Sequence, residues 1–354
     1  MNNYNFKVNY WICTYYYNFQ ALLLFLDKNK DIVSAFQFSP WCLIQSFCKY
    51  IIERLEVNDF NENVNITLYF ATKCISVKSI QILLNNGIDV NRSGMNGATV
   101  LHYAVENSNF EVIKYLVENG ADVNAKDNTG QTPLYIAAGI GNENIIKYLI
   151  ENGSDANTRN KTDETPLHKA VSSGIIKAVQ VLLEHRVEID PVSIYNQTPL
   201  QITVSYSHYE IASCLINNGA DVHRKDRNEW NIIHTAVSNN KTPEDFIKLL
   251  LDHQVDVNCS TGYQDTPLHI AASNGHSNFV KLLISHGANV HAKNRLSYTP
   301  LHIAAKYDSL EVARILVENG AEINTRNLNG FTPLYFATKD SNVYNYLVSK
   351  NAIL

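Results

Sequence analysis

Apolar positions along most of the chain fall into two alternating kinds of run, each with helical spacing. One kind is short, as in TVLHYA from Thr99, where a branched apolar residue is followed three positions on by alanine. The other is longer and carries apolar pairs at helical spacing, such as Ile145, Ile146, Leu149 and Ile150, or Val312, Ile315 and Leu316. Glycine closes the longer run at Gly87, Gly120, Gly153, Gly219, Gly287 and Gly320, the left-handed position that a helix end favours. A polar stretch, ADVNAKDNTG and its relatives, then leads to the next short run. The pattern predicts a short helix, a second helix and a polar turn, over and over.

The period is fixed by the string TPL, at Thr132, Thr165, Thr198, Thr266, Thr299 and Thr332, spaced 33, 33, 68, 33 and 33 residues apart. Threonine is a helix cap, and proline at the first helical position forfeits an N–H that has no partner there anyway. The gap of 68 hides one further member, NIIH, in which Ile232 stands for proline and His234 keeps a histidine column. TVLHYA from Thr99 and ITLYFA from Ile66 fall in the same register. The result is nine repeats: 63–95, 96–128, 129–161, 162–194, 195–227, 228–262, 263–295, 296–328 and a short 329–354. One leucine column (Leu68, Leu101, Leu134, Leu167, Leu200, Ile233, Leu268, Leu301, Leu334) and an alanine column broken only at Thr203 predict close packing of each first helix on the next. No repeat can bury its apolar face alone, so stability must come from stacking.

The stretch NGADVNAKDNTGQTPLYIAAGIGNENIIKYLIENG closely resembles the ankyrin repeat family, and the likeness covers about residues 63–354. The resemblance implies an all-α, ankyrin-repeat solenoid of helix-turn-helix units with β-hairpin-like fingers. It also implies that His102, His168, His234, His269 and His302, one column just after the capped turn, hydrogen-bond neighbouring turns and are structural.

Bulk composition narrows the setting. A net charge of −5 with scattered Lys and Arg gives no nucleic-acid footprint. Cys13, Cys42, Cys48, Cys74, Cys214 and Cys259 form no CxxC pair, which reads as a reduced, intracellular chain, cytoplasmic or nuclear. Residues 1–62 differ sharply, holding 15 of the 36 aromatic residues. Their apolar run ALLLFLD is too short to span a bilayer, and MNNYNFK does not look like a signal peptide. FQALLLFLDKNKDIVSAF and LIQSFCKYIIERLEV read as amphipathic helices, hence a degenerate repeat or N-terminal cap, with a separate docking module as the alternative.

Candidate chemistry adds little. His276, His286 and His291 lie close in sequence but lack a cysteine or carboxylate at zinc-like spacing. No GxxxxGK[ST], GxSxG or HExxH occurs, so no enzyme, cofactor or metal is expected.

In a fixed frame, a partner is read by what varies. In ankyrin arrays the variable positions are the finger tips and the ends of the first helices, on the concave side. Early repeats carry small or polar residues there, whereas later ones carry Tyr195, Tyr206, Arg227, Trp230, Tyr263, Arg295, Leu296, Tyr298, Tyr307, Leu328 and Phe331. Trp, Tyr and Arg dominate interface hot spots. The expectation is a monomeric, non-enzymatic adaptor or scaffold binding an unidentified protein on repeats five to nine. Rings at Trp230, Tyr298 and Phe331 are expected to project into solvent, so that their joint removal abolishes binding and spares stability. The alternative is a host-directed effector or toxin-like protein, secreted or acting at a membrane through residues 1–62.

Overall fold

The computed structural model of the chain describes residues 77–85 and 88–354. The aromatic segment 1–62 and the first helix expected in repeat one lie outside the described residues. Two compact blocks are formed, one ending at Lys161 and one running from Thr162 to Leu354, so the division falls between repeats three and four.

Every described residue in regular structure is helical. In the first block, helix Val77–Asn85 precedes the pairs Val100–Glu106 with Phe110–Glu118 and Pro133–Ile140 with Glu143–Glu151. The second block holds six pairs, beginning with Pro166–Ser172 and Ile176–Glu184 and ending with Pro333–Phe336 and Asn342–Ser349. Within each block, first helices pack on first helices of the next repeat and on their own second helix, and second helices pack on second helices.

The columns explain this stacking. Leu101, Leu134, Leu167, Ile233, Leu268 and Leu301 have no exposed surface, and neither do Ala104, Ala137, Ala170, Ala236, Ala271 and Ala304. Leucine supplies buried area, about 1.5–3 kcal/mol per side chain, while alanine lets the helix axes approach. Thr203, which replaces alanine in repeat five, is equally buried, and its hydroxyl donates to the Leu200 carbonyl at 2.6 Å. The polar atom thereby enters a dry layer already satisfied.

Repeat six differs from its neighbours in two ways. It has Asn231 and Ile232 in place of the Thr-Pro pair, yet Asn231 caps helix Ile232–Ser238. The His234 amide points at Asn231 Oδ1 at 3.5 Å, and the Asn231 amide donates to His234 Nδ1 at 3.3 Å. Asparagine is as good a cap as threonine. The repeat is also two residues longer than its neighbours, and its Thr242-Pro243 pair looks like a second cap, but the following helix runs Glu244–Asp252 behind Pro243. The Thr242 hydroxyl is buried and donates instead to the Ala236 carbonyl at 2.7 Å, with Tyr209 Oη 3.1 Å away. The insertion is thus tied back to the preceding helix and to repeat five.

An asparagine column binds the loops after the second helices. The Asn124 amide group donates to the Gly153 carbonyl at 2.9 Å, while its oxygen accepts from the Asp155 amide at 2.8 Å. Asn91, Asn258 and Asn324 make the same double bridge. In repeat four the position is Asp190. One carboxylate oxygen accepts from the Asp221 amide at 3.0 Å, and the other is buried without a partner.

Candidate protein-binding surface

The finger turns are built before anything binds them. Five residues ahead of each cap from Thr132 onward stands a short side chain with an acceptor oxygen: Asp127, Asn160, Ser193, Asp226, Thr261, Asn294 and Asn327. Asn294 Oδ1 accepts from the Leu296 and Tyr298 amides at 3.1 and 3.0 Å. Asp226 does the same for Asn228 and Trp230, and Thr261 for Tyr263 and Asp265. Such turns fix the backbone locally. Adjacent fingers are then joined through their main chains: Gly262 donates to Asn228 at 3.2 Å, Arg295 to Tyr263 at 3.0 Å and Leu328 to Leu296 at 3.2 Å. The sequence reading missed these clamping residues, although a column of Asp, Asn, Ser and Thr ahead of the cap was a visible signal.

The same bonds set Tyr263, Arg295, Leu296 and Leu328 in one row. Tyr263 is 70% exposed, Leu296 56% and Leu328 67%. The Arg295 guanidinium lies 5.8 Å from the Tyr263 ring centre, within cation–π range. Tyr195, 60% exposed, belongs to the neighbouring part of the surface, where the Arg227 guanidinium donates to the Ile194 carbonyl. Tyr206 and Tyr307 stand exposed just beyond the ends of the first helices of repeats five and eight, Tyr206 stacked on His208 and Tyr307 beside Lys306.

Trp230, Tyr298 and Phe331 are placed differently from the expectation. All three are half-buried and pack against rings of their own repeat, Tyr298 also against the next. Trp230 lies against His234 (centroids 5.9 Å), Tyr298 against His302 and Phe336 (5.6 and 5.1 Å), and Phe331 stacks on Tyr335 at 3.8 Å. Residues just before the cap are drawn inward because the residue three positions after the cap, His234, His302 or Tyr335, offers a ring face. Their removal therefore has a structural cost. Tyr335, which the sequence reading did not single out, is exposed beside them.

Histidine chemistry in the column is fixed by its partners. A backbone N–H can only donate, so the contacts of Thr99, Thr266 and Thr299 amides to Nδ1 of His102, His269 and His302 (3.0–3.2 Å) make Nδ1 the acceptor. The proton is then on Nε2, which donates to the carbonyls of Gln131, Tyr298 and Phe331 in the next repeat at 3.1, 2.9 and 3.1 Å. His234 reaches the Cys259 carbonyl in the same way at 3.2 Å. Burial lowers the pKa of His102 and His269, and pushes His234 and His302 down to about 4. Cys259 Sγ lies 3.8 Å from His234 Nε2, but burial raises the thiol to about 11. Both shifts oppose a thiolate–imidazolium pair, so this contact is no activated nucleophile. His276 and His286 spend Nδ1 on the Val237 and Leu282 carbonyls. Among the described residues, no three His, Cys, Asp or Glu side chains converge on a metal-sized site. Nor is any described helix long and apolar enough to cross a membrane.

Helix pairs of fixed period, stapled by histidines and joined by clamped turns with variable tips, define a helical repeat scaffold. Family models bear this out: ankyrin repeats match at residues 76–117, 101–150 and 141–182, and again at 200–294, 233–327 and 289–353. The chain belongs to the ankyrin repeat family. Among solved structures it is similar to the human ASB11 ankyrin repeat domain, with 27% identity and a TM-score of 0.56 over 63% of this chain and all of that one. In all, 583 solved chains match, so the likeness identifies an architecture and not a partner. Comparison with curated proteins finds no match. Ankyrin repeats are in general protein–protein interaction modules, and the fold is typically a non-enzymatic scaffold.

Proposed function

We propose that the chain is an adaptor or scaffold that captures a protein partner on the finger and first-helix face of repeats five to nine. The observation that carries this reading is the placement of exposed large apolar side chains. Twelve occur among the described residues, and only Ile140 lies before residue 162. The rest include Ile194, Tyr195, Tyr206, Tyr263, Leu296, Tyr307 and Leu328. Exposed apolar groups gathered on one side of a soluble frame mark an interaction site. The clamped turns favour the same conclusion, because a surface held by its own backbone loses little freedom on binding. Intracellular placement is part of this reading and is supported by Cys214 and Cys259, which are both unpaired.

The test compares two triple variants of the full chain. Y263A/L296A/L328A should abolish recovery of the partner in affinity capture while the thermal midpoint stays within about 2 °C. W230A/Y298A/F331A should lower the midpoint by several degrees, since it removes ring contacts inside the repeats. Undiminished capture by the first variant would refute the assignment of this face.

A further inference from the structure

The fingers of repeats five to nine carry charge as well as apolar tips. Arg224, Lys225 and Arg227 lie at the junction of repeats five and six, Lys293 and Arg295 at that of seven and eight, and Arg326 at that of eight and nine. The acids among them are already engaged. Asp226 clamps its turn, Glu229 sits 3.7 Å from Lys225, and Asp265 accepts from the Asn294 side chain at 2.8 Å. Arg227, Lys293, Arg295 and Arg326 are exposed and have no carboxylate within ion-pair distance among the described residues. This cationic edge belongs to a chain whose net charge is −5. Between its two main clusters, the junction of repeats six and seven offers no cation at its tip, only Thr261, Gly262 and the exposed Tyr263.

We infer that the partner presents an extended acidic segment laid along this finger row, with an apolar side chain on Tyr263 between two carboxylates. The inference rests on the proposed function and adds the chemistry and spacing of the ligand. Packed helices lie about 8–10 Å apart, and an extended chain rises about 3.3 Å per residue. Three ligand residues therefore pass each finger. The Arg227 and Arg295 clusters are two fingers apart, which places the carboxylates about six residues apart with the apolar residue midway. Arginine suits this role because its planar fork takes a carboxylate with two parallel hydrogen bonds.

The probe is a displayed library of random 12-residue peptides selected on the full-length chain. Enriched peptides should be acidic, with Asp or Glu recurring six positions apart around a central apolar residue. A synthetic peptide of that kind should lose at least tenfold in affinity to K293E/R295E, and comparably when its acids become Gln. It should also weaken steeply between 50 and 200 mM salt. K293E/R295E alters exposed side chains that support no backbone hydrogen bond, so circular dichroism should be unchanged; R227K serves as the milder variant at the other cluster. Neutral or basic winners that still depend on Tyr263, Leu296 and Leu328 would overturn this inference and leave the proposed function standing. Failure to enrich any peptide, or winners indifferent to the arginines, would overturn it too. Binding of a 12-nucleotide single strand through the same arginines would do so by showing that the edge serves phosphate.

Discussion

At the scale of the residue, the column histidines are held neutral by geometry: Nδ1 accepts from a backbone amide, and Nε2 donates to a carbonyl of the next repeat, as in His302, or of the repeat's own final turn, as in His234. Protonating Nδ1 breaks the first bond and places a charge in a dry layer. The folded pKa of His234 and His302 is about 4, below the ordinary 6.5, so the bonds contribute fully above pH 6.5. Their contribution fades as pH falls toward 4, because the unfolded chain takes up protons first. Between pH 7.5 and 5 the loss is on the order of 2 kcal/mol for each of the two. Denaturant midpoints measured across that range should fall accordingly. Repeat five supplies the control, since Gln201 occupies the same position, accepts from the Thr198 amide at 3.0 Å and donates to the Arg224 carbonyl at 3.2 Å. H234Q/H302Q should therefore keep its stability near pH 7.5 within about 1 kcal/mol and lose much of the acid sensitivity. An unchanged acid slope would show that other groups carry it.

At the scale of the element, the exceptions within each column are the weak points. Asp190 takes the asparagine place between repeats four and five but has nothing to donate, and burial raises its pKa, opposed by the hydrogen bond from the Asp221 amide and by the Arg224 charge and reinforced by the Asp221 and Glu188 carboxylates. A carboxyl raised in the folded state disfavours folding at neutral pH and recovers as it protonates. D190N should stabilise the chain by about 1 kcal/mol at pH 7, with the gain shrinking in acid. A gain that did not shrink would point away from ionisation. Similarly, Arg186 and Gln254 end their helices at φ 55° and 59°, where other repeats place glycine. R186G should be stabilising by about 1 kcal/mol in urea unfolding, because a side chain in that region is strained. Helix existence, caps and columns were legible in the sequence, since period and cap chemistry leave one register. The roles of Asn231 and Thr242 were less so. A cap is a property of geometry and not of one residue type, and the Thr242 hydroxyl found a carbonyl that only the folded neighbour supplies.

At the scale of the whole molecule, the family and the side of the array that varies were readable from residue types alone. Which aromatic rings are free was not. Tyr263 and Tyr298 are the same residue type in adjacent fingers, yet one stands on a turn and the other lies against a histidine and Phe336. Exposure depends on the column a residue occupies and on what the next repeat brings to it, and only the stacked frame reveals that. Finger-to-finger bonds run through main-chain atoms, while the turns are clamped by residues two and four positions before the tip pair. Leu296 and Leu328 thus take no part through their side chains in what holds them, and Tyr263 does so only through its contact with Arg295. On the proposed reading, recognition and folding are written in different letters of the same repeat, so tips can be exchanged while the frame stays folded. Replacing Tyr263 and Leu296 with the threonine that repeats three and four carry there should erase one specificity and leave a blank, folded scaffold ready for another.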